Sequence, residues 1–329
     1  MQKRRILGTI TVLALAAAFI LTPVTDVSAE SDKKTFVLVH GAFGDQAVWD
    51  GPDADKGVAE KLRERGYRVV TLTLPGLGRN NAQASESIDL AAHVQYVADV
   101  LEIDNITDAV MVCHSYAGMV CAALQDVETG GLLEPREEPA TYKKPWERID
   151  KMVFFDAAVP LAEDKTEPDA FPPQSFFSAI GMPSPGDFPD LETYYAVLHE
   201  AAGFPIPSEN LWCFPNLPAA AFGLTDPEEI AWLDARQHCQ PIHTLDQPLT
   251  FNWNDEVKKY YVHATDDWFS FEAFSHFGDR AEEMGWNMYT ISGSHYVAIS
   301  KPNAVAKLLT LIDYIPYTAW NAWGAWLFH

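Results

Sequence analysis

Short apolar runs rich in β-branched residues alternate along this chain with longer stretches of helical period. Thr35-Phe36-Val37-Leu38-Val39 is almost continuously apolar, the pattern of a strand buried on both faces of a parallel sheet. Gly57 to Gly66 predicts a helix with Val58 and Leu62 on one face and Gly66 as its stop. Arg68 to Leu72 predicts a second strand, closed by Pro75-Gly76. Leu90 to Leu101 has helical spacing through Val94, Val97, Ala98 and Leu101. A third strand over Ala109 to Val112 leads to a small-residue helix, Ala117 to Leu124. Lys151 to Phe155 and Lys259 to His263 are a fourth and a fifth strand; a strand-like run ending at Ile291 precedes a last helix, Asn303 to Tyr314. Strands that alternate with helices imply parallel βαβ units, hence an α/β fold with a doubly wound, mostly parallel sheet.

Between Pro160 and Pro248 this rhythm stops. The stretch is rich in proline and aromatics and lacks clear strand signals, so residues 160–248 read as an inserted, mainly helical cap, with helices near Leu191–Ala201 and Asp226–Ala235. The core is then divided into 30–159 and 249–315, and a charged loop from Glu134 to Arg148 interrupts its first part. Beyond it, 316–329 is an aromatic tail: starting from Tyr314 at the end of the last helix, aromatics recur every three residues at Tyr317, Trp320, Trp323 and Trp326. Such a tail can lie over the protein's own surface, which is the plainest reading, dock on a partner subunit, or touch a membrane interface. No internal repeat is evident.

The first residues read as an address. Lys3, Arg4 and Arg5 precede an apolar run from Ile6 to Leu21, and Val27-Ser28-Ala29 offers the small residues a signal peptidase reads. Residues 1–29 are therefore expected to be a signal peptide, with a single N-terminal anchor as the alternative. Cleavage near Ala29 sends the protein to the periplasm or outside the cell, leaving no stable membrane span. A formal net charge of -23 over 329 residues argues against a nucleic-acid partner, which would require a basic face. Four cysteines are too few for a disulfide scaffold; Cys213 and Cys239, both in the exported insertion, are candidates to pair, whereas Cys113 and Cys121 read as buried thiols.

The chemistry centres on Val112-Cys113-His114-Ser115-Tyr116-Ala117-Gly118, which follows a strand and opens a helix. A serine in such a turn takes strained backbone angles, so the residues two before and two after it must be small; here they are Cys113 and Ala117. The turn exposes the hydroxyl and sets the Tyr116 amide at a helix N-terminus, able to donate to a developing oxyanion. The plainer reading of Ser115 is a helix N-cap, but a cap does not require small flanks. Of ten histidines, His295 in Gly293-Ser294-His295-Tyr296 lies where a late loop returns over the carboxyl edge of such a sheet. His40 and His114 read as structural, and His93 and His263 have no supporting context. The orienting acid is expected just beyond the fifth strand, at Asp267, with its neighbour Asp266 as the alternative; either can also be an ordinary turn aspartate.

The order Ser115, Asp267, His295 is the one α/β-hydrolases use. Phe36-Val37-Leu38-Val39-His40-Gly41-Ala42-Phe43, His114-Ser115-Tyr116-Ala117-Gly118, Val153-Phe154-Phe155-Asp156-Ala157-Ala158-Val159-Pro160 and His295-Tyr296 together resemble the α/β-hydrolase superfamily. More narrowly, they are similar to the branch with plant methyl esterases, hydroxynitrile lyases and bacterial pyrethroid-type carboxylesterases. The resemblance covers about residues 35–160 and 250–313. It implies Ser115 as nucleophile, His295 as base, Asp267 as acid, and the amides of Ala42 and Tyr116 as the oxyanion hole. The cysteines are too scattered and no histidine pair has helical ligand spacing, so no metal is expected. No Gly-rich phosphate loop follows the first strand, so no cofactor is expected. The aromatic, proline-rich cap points to a small-molecule ester or lactone of fairly apolar character as substrate. The lyases of this branch carry lysine directly after the catalytic histidine. Tyr296 stands there, which disfavours cyanohydrin cleavage. A cofactor-free peroxidase and a non-catalytic binding protein, both compatible with the same fold, compete with the esterase reading. The oligomeric state is not legible.

Overall fold

The computed structural model describes residues 33–53, 56–128, 132–133, 141–162, 173–266, 268 and 271–315. The expected signal peptide at 1–29, the aromatic tail at 316–329, residues 134–140 of the charged loop before the fourth strand, and Asp267 lie outside the described residues.

In chain order the elements are β1 (Thr35–Val39), α1 (Ala47–Asp50), α2 (Val58–Arg63), β2 (Arg68–Thr71), α3 (Leu90–Ile103), β3 (Ala109–Ser115), α4 (Ala117–Gln125) and β4 (Ile149–Ala157). The insertion follows with α5 (Phe176–Ala179), α6 (Leu191–Ala202), β5 (Cys213–Phe214), α7 (Pro227–Asp234), β6 (Gln240–Pro241) and α8 (Ile242–Asp246). The chain closes with β7 (Lys258–Ala264), α9 (Phe271–Glu283), β8 (Asn287–Ile291), α10 (Val297–Ser300) and α11 (Pro302–Tyr314).

Six strands make one sheet in the order β2-β1-β3-β4-β7-β8, and every neighbouring pair is parallel. This is the α/β-hydrolase arrangement. The central strand β3 is buried at every residue, and β4 at all but one, because helices cover both faces of the sheet. Helix α2 packs against α11, and α3 against α4. With all strands parallel, their carboxyl ends lie on one edge, and the loops after β1, β3, β4 and β8 converge there.

Helix boundaries follow local chemistry. Asp89 caps α3 through the Ala92 amide, Asp190 caps α6 through Thr193, and Asp226 caps α7 through Glu228 and Glu229, with Pro227 at its first position. Gly203, in the left-handed region, stops α6.

Two features differ from the expectation. The insertion contains a two-stranded antiparallel ribbon, β5 with β6, in a stretch without clear strand signals. Strands of two residues are too short to carry a period; a disulfide between Cys213 and Cys239 ties this ribbon together. The second correction concerns Cys113 and Cys121, expected as buried thiols, which the structure pairs as well. Helix α4 turns back along β3, bringing two cysteines eight residues apart to a Cα separation of 6.4 Å, within the span of a disulfide. Among the described residues no helix is long and apolar enough to cross a membrane.

Candidate active site

Ser115 ends β3 with φ at 57°, in the left-handed region that a residue with a Cβ enters only at a cost of about 1–3 kcal/mol. Its surroundings hold it there. The Ala158 amide donates to the Ser115 carbonyl at 3.0 Å, and α4 starts at the next residue but one. Close packing completes the turn: a Cβ on Gly118 would meet the Ala158 carbonyl oxygen at 2.0 Å, and one on Gly41 would sit 2.7 Å from the Ser115 Cβ. Gly118 and Gly41 are thus both positions at this turn where a side chain would collide. Gly118, three residues after Ser115, is the signal in the sequence for this approach of helix to strand exit.

His295 follows β8 and is buried. Its Nδ1 lies 2.6 Å from Asp156 Oδ2. Its ring packs between His114, at 4.4 Å between centroids, and Trp268, at 4.0 Å. His114 immediately precedes Ser115 in β3, and Phe222, Trp268 and Phe274, whose rings touch that of His295, line the same cavity as Ser115. Sequence reasoning missed Asp156. It is fully buried at the last position but one of β4, the strand next to β3, with φ at 41°. Its Oδ1 accepts the Ala264 amide at 3.2 Å and lies 3.3 Å from His263 Nδ1, a second imidazole on the same carboxylate. Burial alone would raise the Asp156 pKa; hydrogen bonds and charge from His263 and His295 outweigh burial and hold it below the ordinary carboxylate value. The expected acid, Asp267, lies outside the described residues. Asp266 is exposed, and its amide donates to the Gly293 carbonyl at 3.0 Å. The signal for Asp156 is a lone acid inside the apolar run Val153-Phe154-Phe155-Asp156-Ala157-Ala158, a residue type rarely buried without a paired partner.

Three further histidines pack around the turn. His40 accepts the Leu74 amide at Nε2, and burial lowers its pKa to about 4. His93 contacts the Tyr116 hydroxyl and the Pro75 carbonyl, each at 2.9 Å, and burial lowers it to about 3. His114 donates from Nε2 to the His295 carbonyl at 2.9 Å; burial, then the nearby His295, push its pKa well down. All three are neutral at pH 7 and serve as hydrogen-bonded core.

Above Ser115 the insertion lines a partly open cavity of about 50 Å³. Ala42, Phe43 and Ser115 form its floor, and Phe176, Phe177, Phe204, Phe214, Phe222 and Met182 are among its walls. Among the described residues that line it, none is charged. Ala42, on this lining, follows the Gly41 that packs on Ser115, and Tyr116 is the N-cap residue of α4. Among the described residues no cluster of three or more His, Cys, Asp or Glu side chains is arranged to hold a metal ion.

Residues 36–308 match the alpha/beta hydrolase family, and the chain belongs to it. A carbendazim-hydrolyzing esterase from Nocardioides sp. (strain SG-4G) is 26% identical over 281 residues, covering 84% of this chain and 98% of that protein. An extracellular alpha/beta-hydrolase from a Paenibacillus species, described as sharing structural and functional homology with tobacco salicylic acid binding protein 2, superposes with a TM-score of 0.57. It is 19% identical and covers 84% of this chain and 98% of its own. Polyneuridine aldehyde esterase superposes with a TM-score of 0.54 at 19% identity, over 85% of this chain and 99% of its own. The two superpositions establish the shared fold; an esterase stands among the relatives both by sequence and by structure.

Proposed function

We propose that this chain is a carboxylic ester hydrolase, a serine esterase exported after cleavage near Ala29, acting on a small or medium, fairly apolar ester or lactone. Ser115 is the nucleophile, His295 the base, and Asp156, in the role expected of Asp267, the acid that orients the base. The observation that carries this reading is the strained Ser115 turn opening into an apolar cavity beside a buried His295–Asp156 pair.

In this reading Ser115 Oγ attacks the ester carbonyl carbon while its proton passes to His295 Nε2. Asp156 accepts the Nδ1 proton in a hydrogen bond, fixing the tautomer and stabilising the imidazolium. The amides of Ala42 and Tyr116 receive the negative oxygen of the tetrahedral intermediate, each such donor being worth roughly 10²–10³ in rate. The intermediate collapses, His295 returns the proton to the departing alcohol, and water, activated by the same histidine, cleaves the acyl-enzyme. The aromatic walls accept the apolar group of the substrate, as in most small-molecule pockets. The basic n-region before an apolar run, and an extracellular relative of the same fold, support export.

The test is hydrolysis of a chain-length series of p-nitrophenyl esters by residues 30–329 beside Ser115→Ala. Turnover is expected in the first and a loss of at least about 10³-fold in the second, with folding retained. Comparable turnover in both would remove the assignment.

A further inference from the structure

The loop that carries Ala42 is strained, and the residues holding it belong to the insertion. Phe43 has φ at 65°, and the Gly44 amide donates to the Ala42 carbonyl at 2.8 Å. A bond between residues two apart around a positive φ is a γ-turn of the rarer, strained hand. Strain of this kind persists only where the surroundings over-determine it. Both backbone polar atoms of Phe43 are held from outside the core. Its amide donates to Gln240 Oε1 at 2.8 Å, and its carbonyl accepts the His238 amide at 2.9 Å.

Gln240 is fully buried in β6. Its orientation is fixed by a second hydrogen bond, from Nε2 to Thr244 Oγ1 at 2.7 Å, and the Thr244 hydroxyl in turn donates to the Pro241 carbonyl at 2.7 Å. Each partner thus has one role: the glutamine oxygen faces the Phe43 amide and its nitrogen faces an acceptor. The ribbon beneath it is tied by the Cys213–Cys239 bridge, next in sequence to Gln240.

We propose that Gln240 is a positioning residue for the oxyanion hole: by accepting the Phe43 amide it holds the strained turn that sets the Ala42 amide toward the reacting oxygen. The insertion then contributes to the rate as well as to the choice of substrate. The inference rests on the reading of Ser115 as nucleophile and Ala42 as an oxyanion donor. It concerns an interaction realised in the transition state, so it makes kcat, and not KM, the sensitive quantity.

The experiment is Gln240→Met, which keeps the volume but removes the acceptor, measured on p-nitrophenyl butyrate and with an alkyl boronic acid as a tetrahedral mimic. The expected result is a fall of about tenfold or more in kcat, KM within about twofold, and boronate affinity weakened in step with kcat/KM. Gln240→Glu, which retains an acceptor oxygen, should recover most of the rate. A folded Gln240→Met protein with unchanged kcat and boronate affinity, or with a lowered Tm and nothing else, overturns the proposal. Where Gln240→Met does not fold, Thr244→Val decides by the same readouts, because it frees the glutamine amide to turn while keeping the core filled. Ser115→Ala is run alongside. If it retains turnover, the esterase reading itself fails; if it is inactive while Gln240→Met retains full kcat, only the role of Gln240 fails.

Discussion

The sheet and the insertion solve opposite problems with different means. The sheet holds Ser115 and Asp156 on neighbouring parallel strands buried on both faces. The register shifts between them, His114 pairing with Phe155 and Ser115 with Ala157, so the positive φ of both residues falls at an irregularity next to regular pairing. The insertion has short helices and one two-residue ribbon, so it cannot rely on long ladders of backbone bonds. It is held by ring packing, such as Phe177 on Phe214 at 4.9 Å and Phe204 on Phe214 at 5.0 Å, by a disulfide, and by side-chain bonds to the core. Gln247 accepts the Ala91 amide at the start of α3, and Gln240 accepts that of Phe43. The core therefore places the reacting groups, while the insertion shapes the space above them and reaches into one of the core's own loops.

That division can be broken first at the acid. Asp156→Asn should lower kcat by about 10³–10⁴, as expected for an asparagine that can present its amide to the base and favour the wrong tautomer. This loss should exceed that of Asp267→Asn in parallel assays of p-nitrophenyl ester turnover. The reverse ranking would move the acid to the loop after β7. On the side of the insertion the effect should be smaller and of another kind. Phe204→Ala enlarges the apolar cavity without touching the serine turn, so KM for a short acyl ester should rise by about tenfold and the optimum should move to longer chains, with kcat changed less. A uniform loss of kcat across chain lengths would instead show that this wall acts on the reacting groups.

The mildest probe is acid. His40, at about 4, and His93, at about 3, stay neutral in the folded core at pH values where the same side chains in the unfolded chain, near 6.5, take up protons. Their contribution to stability is complete above about pH 6.5 and is lost as pH falls toward those folded values. Asp156, depressed in the fold, contributes stability above the unfolded value of 3.8 that is lost as pH falls further. Tm by scanning calorimetry should therefore decline by roughly 10 °C between pH 7 and pH 4.5. A flat profile over that range would contradict the burial of these histidines.

Much of the arrangement is present in local pattern. Each of β1, β2, β3, β4 and β7 can be placed from an apolar run, and β3 followed by a small-residue helix locates the serine turn at Ser115. The insertion is visible as a loss of rhythm and a rise in aromatics. The ribbon β5–β6 is not, since its strands are shorter than any period. Cys113 and Cys121 read as thiols because spacing along the chain does not reveal how closely α4 folds back on β3.

The sequence by itself determined the elements, because periodicity of 2 or 3.6 and the preference of the turn for small residues act within about ten positions. It also singled out Ser115 and His295, each next to a recognisable turn. Tertiary structure decided which groups meet them. Asp156 reaches His295 across 139 positions because β4 lies between β3 and β7 in the sheet, and strand order leaves no mark on local hydrophobic pattern. Gln240 reaches Phe43 across 197 positions because the insertion folds down on the first core loop. In both cases a buried polar group must find a partner, and only the packed fold determines which one is within hydrogen-bonding distance.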